Sequence, residues 1–339
     1  MKSGMLKKIP KWNLILLLTL VGEIIIFGLI NPRFWNLNVL LNSFNDFVGI
    51  AIIAFFVTFV VITGGIDISG GSIIGLTSVV TGMLAQFVGM NIWIAALLAV
   101  LVGGLCGLLN GVLIAYAKVQ AMVITLGGML LYSGIAIVLV GLSGTSTYEG
   151  ISGFSQEFIN LANGKILGIP HSVILFLVIL VIAYILLHRT RYGRYVYLTG
   201  INQNAADYSG IDTRKIITST YILSGLSAGI AGVILTSYLG SSRADFGAEY
   251  LMPILTAVVL GGTLITGGKG GVIGTALASI VVGFLKLGLQ MGGVQTQYIG
   301  LATGLLLITS VAFLGVPGFK SKVKRFLTIK KDRGGNLHA

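Results

Sequence analysis

Apolar residues run along this chain in long blocks, each halted by a short cluster of charge, glycine or turn residues. Crossing a hydrocarbon core of about 30 Å takes a helix of roughly 20 mostly apolar residues. Blocks of that order lie at 13–30, 47–63, 72–87, 92–117, 121–142, 172–187, 216–238, 250–265, 271–289 and 297–315. The pattern predicts an all-α, polytopic transmembrane bundle of about ten spans. It divides the chain into a basic segment 1–12, a single membrane domain 13–315 with one long polar connection at 188–215, and a basic tail 316–339.

Composition removes the soluble alternatives. Of the 339 residues, 55% are hydrophobic and only 9% charged, with mean hydropathy +0.98, whereas soluble domains carry about 25% charge. The first block follows Lys2, Lys7, Lys8 and Lys11 as a signal peptide would, but it is longer than a typical h-region and lacks a small-x-small cleavage site, so an uncleaved first span is expected. The net charge of +12 is not a nucleic-acid footprint, because the basic residues gather where apolar blocks stop. With both termini in the cytoplasm, the inner segments hold eighteen of the 22 Lys and Arg, among them Lys118, Arg189, Arg191, Arg194, Arg214, Lys215 and Lys269. Arg33, Lys165 and Arg243 fall outside, and Lys286 lies near the outer end of a span. That asymmetry follows the rule that cytoplasmic loops carry the excess of Lys and Arg.

Glycines at four-residue spacing, Gly103, Gly107 and Gly111 in one span and Gly225 with Gly229 in another, predict close helix contact, since small residues let backbones approach. Cys106, the single cysteine, sits in the first of these spans and excludes an intrachain disulfide. The stretch Gly261–Gly271 imitates a phosphate loop but fails it, with Thr263 in place of the first glycine and Gly270 after Lys269 where Ser or Thr would hold Mg²⁺. No metal-binding or nucleophile motif appears, so no enzyme site, metal or bound cofactor is expected.

Few polar groups are left to carry function. Glu23 lies near the middle of the first span, where a carboxylate needs protein, water or a partner; a translocation role and an interhelical hydrogen bond are both open. Gly65, Asp67 and Ser69 interrupt two apolar blocks, either as an ordinary hairpin or as a broken helix lining a cavity. In the long inner connection, Asn202, Asn204, Ala205, Ala206, Asp207, Tyr208 and Gly210 read as a short capped helix, with Asn202 or Asn204 as N-cap and Gly210 as the left-handed stop. So short a helix must dock on something to be ordered: its own span ends, or a cytoplasmic partner.

Four stretches, GGIDISGGSIIGL at 64–76, VITLGGMLLYSGIAIVL at 123–139, GRYVYLTGINQNAADYSGI at 193–211 and AVVLGGTLITGGKGGVIGTALASIVVGFL at 257–285, resemble the ribose, xylose and autoinducer-2 branch of ABC importer permeases. SYLGSSRADFGAEYLMPILTAVVLGG at 237–262 is most similar to its autoinducer-2 members. The resemblance implies a bacterial cytoplasmic-membrane permease importing autoinducer-2, with ribose, rhamnose or another monosaccharide as the alternative; the competing class, a secondary transporter or channel, would need its own ion-coupling groups, and the intramembrane ionisable set is almost only Glu23 and Lys286. It also implies a second permease subunit, an extracytoplasmic solute-binding protein and a cytoplasmic ATPase that holds ATP and Mg²⁺ and docks on the Asn202–Gly210 helix, the coupling helix. The outer loops 143–171 and 240–249 would face the binding protein.

Overall fold

The computed structural model describes residues 11–144 and 149–315; the basic segment at 1–10 and the basic tail from 316 onward lie outside the described residues. Fourteen helices follow one another among the described residues: α1 (Lys11–Ile30), α2 (Leu37–Asn42), α3 (Phe44–Ile62), α4 (Gly70–Gly82), α5 (Ile92–Ala115), α6 (Ala121–Leu142), α7 (Gln156–Asn163), α8 (His171–His188), α9 (Arg191–Ile201), α10 (Gln203–Tyr208), α11 (Thr213–Leu239), α12 (Leu251–Leu260), α13 (Val272–Met291) and α14 (Thr296–Gly315). A π-helical turn, Met83–Phe87, prolongs α4, and a two-stranded hairpin, β1 (Lys165–Ile166) with β2 (Ile169–Pro170), joins α7 to α8. Eight helices are long and apolar enough to cross a membrane; α12 and the described part of α14 are shorter apolar helices.

Helix α3 forms the axis of the bundle. It is buried nearly all round, whereas α1 turns most of its apolar surface outward. A helix hydrophobic on every side is stable only when enclosed, and α3 is enclosed by α8, α11, α12 and α13. Lipid already satisfies apolar side chains, so the helices are held by close packing and interhelical hydrogen bonds. Thr58 on α3 meets Thr275 on α13 at 2.8 Å, and Ser78 on α4 meets Thr236 on α11 at 2.7 Å.

The closest seam runs between α5 and α11, where the glycine spacing predicted it. Gly103 and Gly107 face Gly225 and the backbone of Tyr221, and Gly111 lies on Thr218, whose Oγ1 donates to the Gly111 carbonyl at 3.2 Å. A side chain at Gly107 would drive into the Tyr221 carbonyl. Gly107→Leu is therefore expected to part the seam at a cost of at least about 1–3 kcal/mol. A melting temperature equal to wild type in detergent would refute this.

Helix α11 also gives the bundle its two ends. Its first turn receives α10, and near its last turn Ser237 Oγ donates to the Phe158 carbonyl of α7 at 2.6 Å. These are the α10 end and the α7 end.

Candidate functional site

After α3 stops at the α10 end, the chain turns back inside the bundle. Gly65 N–H returns to the Val60 carbonyl at 3.0 Å, and residues 66–69 climb without helical structure before α4 begins. The depth of this climb follows from Gly70, where a Cβ would stand 3.5 Å from Ile53 Cγ2. Ile53 is nine residues from either end of α3, about 13 Å at 1.5 Å per residue. Thus α4 starts near the bundle's midplane, and residues 64–72 form a broken-helix segment rather than a surface hairpin.

Buried polar groups hold this break. Asp67 is 3% exposed; its Oδ1 accepts from Ser69 N at 2.9 Å and Ser69 Oγ at 2.7 Å, and its Oδ2 accepts from Ser224 Oγ of α11 at 2.7 Å. Asn110 of α5 donates to Ser69 Oγ at 2.9 Å, and Tyr132 OH of α6 donates to Asn110 Oδ1 at 2.8 Å. Thr125 and Tyr221 donate to the Ile66 carbonyl at 3.2 and 3.3 Å. Backbone that leaves a helix at membrane depth must find partners inside the protein, and this network supplies them from three helices. Asp67 and Ser69 are legible in the sequence as polar residues that interrupt two apolar blocks; Asn110, Tyr132 and Ser224 are not, and Asn110 alone carries a signal, as a lone polar group within an apolar run.

Removing the Asp67 carboxylate leaves three buried donors without their acceptor, at about 1–3 kcal/mol for each unmet group. Asp67→Ala is expected to lose at least about 2 kcal/mol, and Asp67→Asn, which keeps one acceptor oxygen, clearly less. Equal denaturation midpoints for the two variants would count against the network.

A second irregular segment enters from the α7 end. The sequence reading makes 240–249 an outer loop, but only its start is one: Ser242 pairs with Ile151, after which the chain runs inward along α4. Gly82 lies on Ser242, Gly75 on the Ala244 carbonyl, and Gly71 on the Gly247 carbonyl. Gly247 adopts φ +82°, open to glycine at little cost; a Cβ there would also come within 2.6 Å of the Gly71 carbonyl. Short polar segments carry no hydropathy signal for depth, so the sequence could not show this descent. The two breaks meet at Gly71 and Gly247, beside a cavity of about 270 Å³.

At the α10 end, Asn202 is the N-cap of α10, its Oδ1 accepting from Ala205 N at 3.0 Å, and Asn204 is not. Gly210 takes the left-handed conformation, φ +82°. Ala206 is buried, while Asp207 Oδ1 accepts from Thr213 Oγ1 at 2.6 Å and Thr213 N at 3.3 Å, fastening α10 to the start of α11. The free face of α10 is therefore Asn204, Ala205 and Tyr208, the last 93% exposed. A polar cavity of about 410 Å³ joins α10 to the first break, lined by Gly65, Lys118, Asn204, Asp207, Arg214 and Tyr221. Hydrogen bonds from Lys215 hold the nearby Asp212 carboxyl below its usual range. Burial pushes the Tyr197 hydroxyl up to about 12, so it stays a donor to the Gly270 carbonyl at 2.8 Å.

Glu23 does not join these groups. It is buried on α1, which packs against α13, and its Oε2 has no hydrogen-bond partner among the described residues. Nor do the described residues contain a cluster of three His, Cys, Asp or Glu able to hold a metal.

A bundle of apolar helices with two breaks meeting at midplane and a docked surface helix at one end defines a polytopic membrane protein. Comparison with known families narrows that class. Residues 39–311 match the family described as branched-chain amino acid transport system / permease component, and the chain belongs to that family. It is 46% identical over 316 residues to the autoinducer 2 import system permease protein LsrD of Escherichia coli K12, covering 93% of this chain and 96% of the relative, and equally similar to the protein of that name from Shigella flexneri. No solved structure matches. The chain is a multi-pass protein of the cytoplasmic membrane.

Proposed function

We propose that this chain is a permease subunit of a binding-protein-dependent ABC importer and carries autoinducer-2 inward. The near end-to-end similarity to autoinducer 2 import permeases carries the choice of ligand. The fold supports the transport role through its two breaks.

The α10 end is the cytoplasmic one in this reading. Lys118, Arg189, Arg191, Arg194, Arg214, Lys215 and Lys269 all belong to connections or helix starts at that end, as expected of inner loops. With α12 and α14 added to the eight longer helices, the count is ten spans with both termini inside. Helix α10 then docks on a separate ATPase, which holds ATP and Mg²⁺, and the α7 end receives the solute-binding protein. A second permease subunit covers outward apolar surface that lipid does not.

Mechanistically, closure of the ATPase dimer moves α10, and the Asp207–Thr213 bonds hand that displacement to α11. Ser224 of α11 holds Asp67, so the first break moves with α11 relative to the second. Separation of Gly71 from Gly247 opens the midplane toward one side, and their return closes it. This is gating by movement of packed elements.

The test is uptake of labelled autoinducer-2, with ribose as competitor, in cells lacking this chain and in complemented cells, with ATP depletion as control. ATP-dependent uptake restored by the chain and not competed by ribose is expected. Unchanged autoinducer-2 uptake in the deletion, with loss of ribose uptake, would overturn the ligand.

A further inference from the structure

The cavity of about 270 Å³ beside the Gly71–Gly247 contact is lined by the first break, the second break and the outward side of α6. Its polar groups are Ser72 and Ser133, and its apolar ones include Ile68, Met129, Leu130 and Phe246. Charged side chains are missing from the lining. Leu130 is 67% exposed and Ala248 is exposed as well, so the cavity opens sideways at membrane depth. Irregular backbone at that depth is tolerated only inside protein or against water; lipid cannot be what the opening faces.

Resting on the importer reading above, we infer that this cavity is where the ligand is held on this subunit as it crosses, and that it selects a small, uncharged, hydroxyl-rich molecule. Ser133 makes no hydrogen bond among the described residues, leaving donor and lone pairs for a ligand hydroxyl. Ser72 Oγ donates to the Ser69 carbonyl at 2.8 Å and keeps its lone pairs as acceptors. Phe246 and Met129 offer apolar surface to the C–H face of such a molecule.

The same geometry disfavours a free amino acid. A zwitterion would need an anionic partner for its ammonium group as well as donors for its carboxylate. Its ammonium group would find no carboxylate in the lining.

The experiment uses the assembled importer in proteoliposomes with labelled autoinducer-2, ribose and leucine as probes, reading uptake and ATP hydrolysis together. Ala248→Phe, at an exposed position that leaves the core intact, is expected to block uptake while hydrolysis persists. Ser133→Ala is expected to lower the maximal rate about fivefold, the effect of one lost hydrogen bond, with the half-saturating concentration unchanged because the binding protein sets it. Wild-type rates in both variants would overturn the site, and leucine uptake blocked by Ala248→Phe would overturn the ligand class. No uptake of any probe by wild type would instead overturn the importer reading itself.

Discussion

Gly71→Val is expected to cut uptake at least about tenfold in a protein that still reaches the membrane. The new Cβ would press on the Gly247 carbonyl, which is backbone and cannot rotate away. Forcing such a contact costs about 1–3 kcal/mol, spent on the joint between the two breaks and not on the helix seams. Gly70→Ala is the internal control, because a Cβ at Gly70 meets Ile53 at an ordinary 3.5 Å. Uptake should fall at least about tenfold in Gly71→Val, equivalent to about 1.4 kcal/mol, and stay near wild type in Gly70→Ala. Matching uptake rates in the two variants, normalised to membrane protein by immunoblot, would show that the contact does not gate transport.

The second large effect is expected on the free face of α10. Ala205→Arg and Tyr208→Asp place charge on residues that face away from their own chain. ATP-dependent uptake should vanish in both while the melting temperature of the isolated subunit holds. Ala206→Arg differs, since Ala206 is 4% exposed, and burying an arginine there loosens α10 from α11 and lowers stability. Normal uptake by Ala205→Arg and Tyr208→Asp would remove α10 as the ATPase contact, whatever Ala206→Arg does.

Much of the architecture was legible from hydropathy, since a helix in lipid must be apolar over its length and little else competes with that requirement. The α5–α11 seam was legible too, because close approach demands glycine and the demand repeats every four residues. The Gly210 stop of α10 and a cap at Asn202 or Asn204 follow from local backbone rules, and the structure selects Asn202. Direction was not legible: the sequence does not show that Ala206 is buried or that the exposed Asp207 also fastens α10 to Thr213. Depth was hidden as well. Residues 64–72 are compatible with a hairpin or a broken helix until Ile53 fixes their level, and 240–249 has the polarity of a surface loop although its middle lies against α4. The last of the short spans, read as 250–265, is helical only over Leu251–Leu260, because the glycines that follow form the turn leading to α13.

Helix α11 runs unbroken from Thr213 to Leu239 without proline, with Gly225 and Gly229 braced by α5 and Gly232 by α4. Such a helix is a strut. One end is bolted to α10 through Asp207, and Ser224, eleven residues along, sits about 16 Å away on a rise of 1.5 Å per residue. In the mechanism proposed above, a displacement received by α10 is carried along this strut to Ser224 and the Asp67 network with little lost to bending. In that mechanism the compliance resides in the joints, the Asp207–Thr213 clamp and the Asp67 knot, and not in the helix between them.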